Sequence, residues 1–175
     1  MKKVGLHVVA AVVTLIALTG CGSTSVEGQA ETTKPQAGEP TFDPCSIPDD
    51  ALRAAGVDPA SETRDILGVK QPGWNLCDWS GDGTAITVFV TAQGFDEVRV
   101  NDRFTNFTPV ELDGREAFTF REVTDTRNEY CDVVFRSETD TVMIKSGYFT
   151  GRTPPEGPCP RAVRNAQILA PSIPQ

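Results

Sequence analysis

Five cysteines, four of them beyond Cys21, and a scatter of carboxylates are the side chains of this sequence that could do chemistry, and no histidine lies beyond His7. Without an imidazole, a chain processed past residue 20 cannot run Ser-His-Asp or Cys-His catalysis, nor fill a zinc site that needs histidine. Cys45, Cys77, Cys131 and Cys159 contain no C-x2-C pair, which a four-thiolate zinc site would favour. An even set in an exported chain reads instead as two disulfides. Three connectivities exist. The favoured pairs are Cys45–Cys77 and Cys131–Cys159, because each ties a helix start to a nearby strand. Each closed loop would restrict the unfolded chain by roughly 3.5–4 kcal/mol in the chain-entropy model.

The carboxylates suggest two further chemistries. Asp96, Glu97, Asp102, Glu111 and Asp132 are numerous enough for a histidine-free glycoside hydrolase. Their spacing singles out no pair, and in an acidic chain such residues are usually solvated. "DWSGDGTAITVF" places Asp78, Ser80, Asp82 and Gly83 at positions 1, 3, 5 and 6 of a calcium loop. Position 12 is Phe89 where a bidentate Glu is needed, so a β-turn through Gly81, Asp82 and Gly83 explains the same letters better. No metal and no cofactor is expected. Of the two tryptophans, Trp79 lies two residues from Cys77 and reads as packing on a disulfide. Trp74, in "QPGWN", reads as loop-borne and is the ligand-binding candidate. "NFT" at Asn106 matches a glycosylation sequon, a three-residue match that carries little weight by itself.

Residues 1–20 read as a signal peptide, with Lys2 and Lys3 ahead of the apolar run Val8 to Leu18. "LTGC" at its end resembles the lipobox of bacterial lipoproteins, in which the cysteine, here Cys21, receives a diacylglycerol and becomes the new N-terminus. Two or more fatty chains hold a protein stably to a bilayer where one holds it only marginally. Residues 21–41 comprise the lipidated cysteine and a Ser-, Thr-, Gly- and Pro-rich tether with almost no large apolar side chain. As a flexible coil the tether would reach roughly 25 Å. The expected address is therefore extracytoplasmic, on the outer face of the cytoplasmic membrane. Loss of Lys2 and Lys3 takes the formal net charge from −8 to −10. That balance argues against nucleic-acid partners.

Residues 42–175 read as one folded domain. "CSIPDDALRAAGVDP" suggests a helix capped by Ser46 and stopped by Gly56. Residues 57–76 are poorly patterned, with a short strand suggested near Ile66 to Val69. In "AITVFVTA", Ile86, Val88, Val90 and Ala92 alternate with Thr87, Phe89 and Thr91, as in a strand. Phe95, Val98 and Phe104 fall at roughly helical spacing. Val110 and Leu112 lead to a turn at Asp113-Gly114, and strands follow at Ala117 to Arg121, "YCDVVFR" and "TVMIKSGYF". Ala162, Val163, Ala166, Leu169 and Ala170 mark one face of a last helix, which Pro171 ends. The expected fold is α+β: an antiparallel sheet of about five strands covered by helices, with two disulfides, in the order helix–strands–helix–three strands–helix.

"DPCSIPDDALRAAGV", "CDWSGDG", "LDGREAF", "YCDVVF" and "GPCPRAVRNAQILA" come in an order that resembles an actinobacterial lipoprotein family called domain of unknown function 3558. The resemblance covers about residues 42–171 and is most specific at Cys77-x-Trp79 and at Pro158-Cys159. It implies an exported, lipid-anchored envelope protein with two disulfides, and it brings no catalytic residues. The expected role is non-enzymatic: a monomeric domain that binds an envelope protein, glycan or lipid. The alternative is a carboxylate-dependent hydrolase of cell-wall glycans. A two-lobed solute-binding protein would need more chain than is present.

The anchor is directly testable. Cys21→Ser is expected to release the protein from membranes into the medium, and mass spectrometry of the native N-terminus should find acyl chains on Cys21.

Overall fold

The computed structural model describes residues 38–149 and 156–175. The signal region, Cys21 and most of the tether lie outside the described residues. No helix among those described is long and apolar enough to cross a membrane.

Seven antiparallel strands form one sheet. The helix α1 (Asp49–Ala54) comes first, then β1 (Thr63–Arg64), β2 (Trp74–Gly81) and β3 (Thr84–Thr91). The short helix α2 (Phe95–Arg99) leads into β4 (Phe104–Leu112), β5 (Arg115–Glu122), β6 (Tyr130–Ser137) and β7 (Asp140–Tyr148), and α3 (Pro158–Leu169) closes the chain. Across the sheet the strands run β1-β2-β3-β7-β6-β5-β4. The first hairpin is thus joined to the later four-strand meander through the β3–β7 pair.

The α+β class stands, but the sheet has seven strands rather than about five, and four rather than three lie between α2 and α3. The main omission is β2. Its interior carries Asn75, Asp78 and Ser80, which blur the alternation that marks a half-buried strand. The suggested strand at Ile66 to Val69 is only an isolated bridge between those two residues. Phe104 begins β4 instead of continuing α2, because Phe95–Arg99 is a helix of little more than one turn. Ser46 does not cap α1. It lies in a preceding 3-10 turn, where its hydroxyl donates to the Asp43 carbonyl, and the residue ahead of α1 is Pro48. Gly56 does follow α1, at φ +88°, a conformation that costs glycine little and other residues much.

The two faces of the sheet bury different things. On one, Val88, Val90, Cys131, Val133, Phe135 and Ile144 are fully buried beneath α1 and α3. The α3 stripe of Ala162, Ala166, Leu169 and Ala170 packs here. Asn165 is buried with it, and its amide donates to the Ser146 hydroxyl at 2.9 Å, so the polar group is satisfied inside the core. Cys45 is bonded to Cys77, and Cys131 to Cys159. The first bridge holds the turn before α1 against β2, and the second holds the first turn of α3 against β6. Trp79 is fully buried in the same cluster as Cys77. The entering chain is fastened at the far end of β7: the Thr41 amide, the Thr41 hydroxyl and the Phe42 amide all donate to Asp140 Oδ2, at 2.8, 2.9 and 3.1 Å.

The opposite face is covered in part by α2 and the loop after it, with Ile66 and Gln71 at the other side of a groove. Phe95 and Val98 pack there on Phe118, Phe120, Val134 and Met143. The β4–β5 turn is Asp113-Gly114, both at positive φ (50° and 76°), as a tight two-residue hairpin requires.

Both bridges close loops of similar length, so each should contribute similarly. Replacing Cys131 and Cys159 together with alanine is expected to lower unfolding free energy by about 3–4 kcal/mol, read as a fall in the denaturant midpoint.

Candidate functional site

A groove of about 680 Å³ runs along the α2 side of the sheet. That is an ordinary size for a small-molecule site. Period-two alternation places its floor, since residues of β2, β3, β7 and β6 that face away from α1 and α3 must point here. Trp74, Leu76, Phe89, Phe120 and Met143 supply the apolar lining, with α2 and the following loop as a wall. Trp74 and Phe89 meet edge to face at 6.4 Å, and Phe104 lies 4.4 Å from Phe120.

Polar side chains cross this apolar floor in register. Asp78 on β2 pairs with Thr87 on β3, Thr87 with Lys145 on β7, and Lys145 with Asp132 on β6. Thr87 donates to Asp78 Oδ1 at 2.6 Å. The Lys145 ammonium donates to Glu122 of β5 and lies 5.7 Å from the centre of the Phe89 ring. Tyr130 flanks it from the other side, its ring lying flat over Gly147, where a Cβ would come within 2.2 Å of the ring.

Asp132 is the unusual member. It is 3% exposed, lines the groove, and its Oδ2 has no hydrogen-bond partner. Burial pushes its carboxyl up to about 7; Lys145 opposes this, and Glu122 and Asp125 add to it. Burial also raises Asp78, against the Thr87 hydrogen bond. Glu122 is held below its usual range by the hydrogen bond from Lys145. Burial tends to lower the Lys145 ammonium, but Asp132 and Glu122 outweigh it and the group stays cationic.

Trp74 lines the groove, but from the first position of β2 and not from a loop. Trp79 points to the other face and is closed to ligands. Of the five carboxylates named for hydrolysis, Asp132 is in the groove and Glu97 is at its rim. Asp96 is exposed and pairs with Arg136 at 3.0 Å, and Asp102 and Glu111 are exposed. The calcium-like letters form the β2–β3 hairpin, whose strands pair up to Gly81↔Thr84, with Gly83 at φ +74°. Asp78 and Ser80 are strand residues there. Cys45, Glu62 and Cys77 have ligand atoms close together, but the two sulfurs are bonded to each other and cannot hold a metal. Asn106 sits at positive φ (58°) where the β4 register shifts.

Sequence reasoning missed Lys145 and Glu122, and weighed Asp78 only as a calcium-loop letter. A signal was present for two groove residues: Lys145 follows Val142-Met143-Ile144, and Asp132 lies between Cys131 and Val133. A charge at an inward strand position has to be met by something.

A single antiparallel sheet, stapled to helices on one face and grooved on the other, defines a small α+β domain with a ligand-sized cleft. The chain belongs to the family described as "Protein of unknown function (DUF3558)", whose model matches residues 16–172. No curated protein and no solved structure matches the chain.

The raised Asp132 carboxyl gives a pH dependence of known sign. Folding raises its affinity for a proton, so between the ordinary carboxylate range and about 7 the folded state binds more protons than the unfolded. Stability is therefore expected to fall as pH rises from about 4 to about 7, the range between the unfolded value and the folded one. Asp132→Asn should flatten that slope in urea titrations. The opposite contribution of Glu122, whose folded value is depressed, is lost only at more acid pH.

Proposed function

We propose that the protein is a lipid-anchored envelope lipoprotein whose folded domain binds a ligand in the α2-side groove and carries out no reaction on it. In this reading Cys21 holds the chain to the outer face of the cytoplasmic membrane, the tether lifts the domain off the lipid, and the domain works as a monomer. The observation that carries it is the groove: apolar and aromatic walls around a few convergent polar groups, the usual composition of a small-molecule site. The acidic charge of the chain sets nucleic acid aside as a partner.

A second reading has one observation in its favour. Asp132 and Glu122 share the groove with proton affinities displaced in opposite directions, the arrangement by which one carboxyl serves as acid while another stays ionised. A wall-glycan hydrolase would then release reducing ends from cell-wall polysaccharide, and Asp132→Asn would abolish the release. The binding reading expects no release from either protein.

Binding is read through the neutral dye Nile red with the full-length chain. Trp74→Ala is expected to weaken the dye at least tenfold, about 1.4 kcal/mol, with an unchanged denaturant midpoint. Equal binding by both proteins would refute the groove as the site.

A further inference from the structure

The buried Oδ2 of Asp132 is the one polar atom of the groove floor whose lack of a partner points to a ligand. It is almost wholly removed from water, it belongs to a lining residue, and no protein donor reaches it. An unmet buried acceptor of this kind costs on the order of 1–3 kcal/mol. A ligand group carrying a hydrogen-bond donor would recover that cost.

Charge selects among donors. The Lys145 ammonium donates to Glu122 and also interacts electrostatically with Asp132, so one cation is shared between two carboxylates. Asp132, once ionised, has no cation of its own. The groups facing it from neighbouring elements are Glu122 on β5, Asp125 in the β5–β6 loop with its ion-pair partner Arg121 at 2.7 Å, Lys145 on β7 and, further along the row, Asp78 on β2. The wall adds Glu97 on α2 and Arg103 after it. Carboxylates outnumber cations among these groups, so an anionic ligand would meet net repulsion. The aromatic faces of Trp74, Phe89 and Phe120 attract cations.

Resting on the groove as the binding site, we infer that the ligand is an amphiphilic amine: an apolar body lying along Trp74, Leu76, Phe89 and Met143, with a protonated amino group donating to Asp132. The ammonium supplies the missing donor and adds a second cation to a site where Lys145 alone faces two carboxylates. Its arrival ionises Asp132, so below about pH 7 binding expels a proton into solution. Affinity therefore drops as the medium is acidified, although the amine itself stays charged.

The test uses the full-length protein and three probes with one body and different heads: n-octylamine, n-octanol and octanoate. In calorimetry at pH 7.5, octylamine should bind at least tenfold more tightly than octanol, and octanoate should be weakest. At pH 5.5 the octylamine affinity should fall more than tenfold while octanol is unaffected. Repeating the pH 5.5 titration in two buffers of different ionisation enthalpy should show a proton released with octylamine only, a measurement that needs no variant. Asp132→Asn should bring octylamine down to octanol. Octanoate binding as well as or better than octylamine would overturn the amine assignment, as would equal binding of all three. In either case the groove reading stands. Failure of all three probes and of Nile red would remove the groove reading itself.

Discussion

The β3–β7 pair holds the molecule together. The first hairpin and the later meander are separate in sequence, and the ladder from Thr84↔Tyr148 to Thr91↔Thr141 makes them one sheet. Its antiparallel register brings Thr87 beside Lys145, and so sets Asp78 and Asp132 on one polar row across four strands. A slip of one residue would turn Lys145 into the core under α3 and Ile144 into the groove. The aliphatic residues of both strands on the α3 side make such a slip costly. Pairings this distant in sequence are slow to find during folding, and the bridges around them are also non-local.

A charged row in an otherwise apolar floor conflicts with what stability alone would select. Lys145 and Glu122 offset each other, but a well-packed apolar pair of similar volume would do as well or better. Asp132 has no such excuse within the chain. Local rules tend to be broken at functional positions, and the groove face carries such a breach at Asp132. Beneath α3 the buried Asn165 amide finds a hydroxyl, whereas Trp79 Nε1 and the Tyr148 hydroxyl find no hydrogen-bond partner among the described residues.

Legibility in the sequence followed the same division. Where one face is uniformly aliphatic, alternation revealed the strand: Ile86, Val88 and Val90, or Cys131, Val133 and Phe135. The α3 stripe and the Asp113-Gly114 turn were legible for equally local reasons, helical spacing and positive φ. Strand β2 was not, because both its faces carry polar residues whose partners, Thr87 and the entering chain at Pro40 and Phe42, are known only after folding. Phe104 looked helical because aromatic residues spaced by chance can mimic a period over a single turn. The groove was invisible for a deeper reason. Its lining comes from β2, β3, α2, β5, β6 and β7, and no local window contains more than a few of those residues.

The placement of the disulfides has a mechanical side. Both fasten the layer that contains α1 and α3, whereas α2 is held by the packing of Phe95 and Val98 and by the exposed Arg136–Asp96 contact. Covalent bracing is therefore one-sided. The buttressed layer is tied to the sheet by covalent bonds, whereas the α2 side rests on non-covalent packing and polar contacts alone. A reducing environment acts first on the buttress and reaches the cleft only indirectly, through the loosening of the sheet on which it stands.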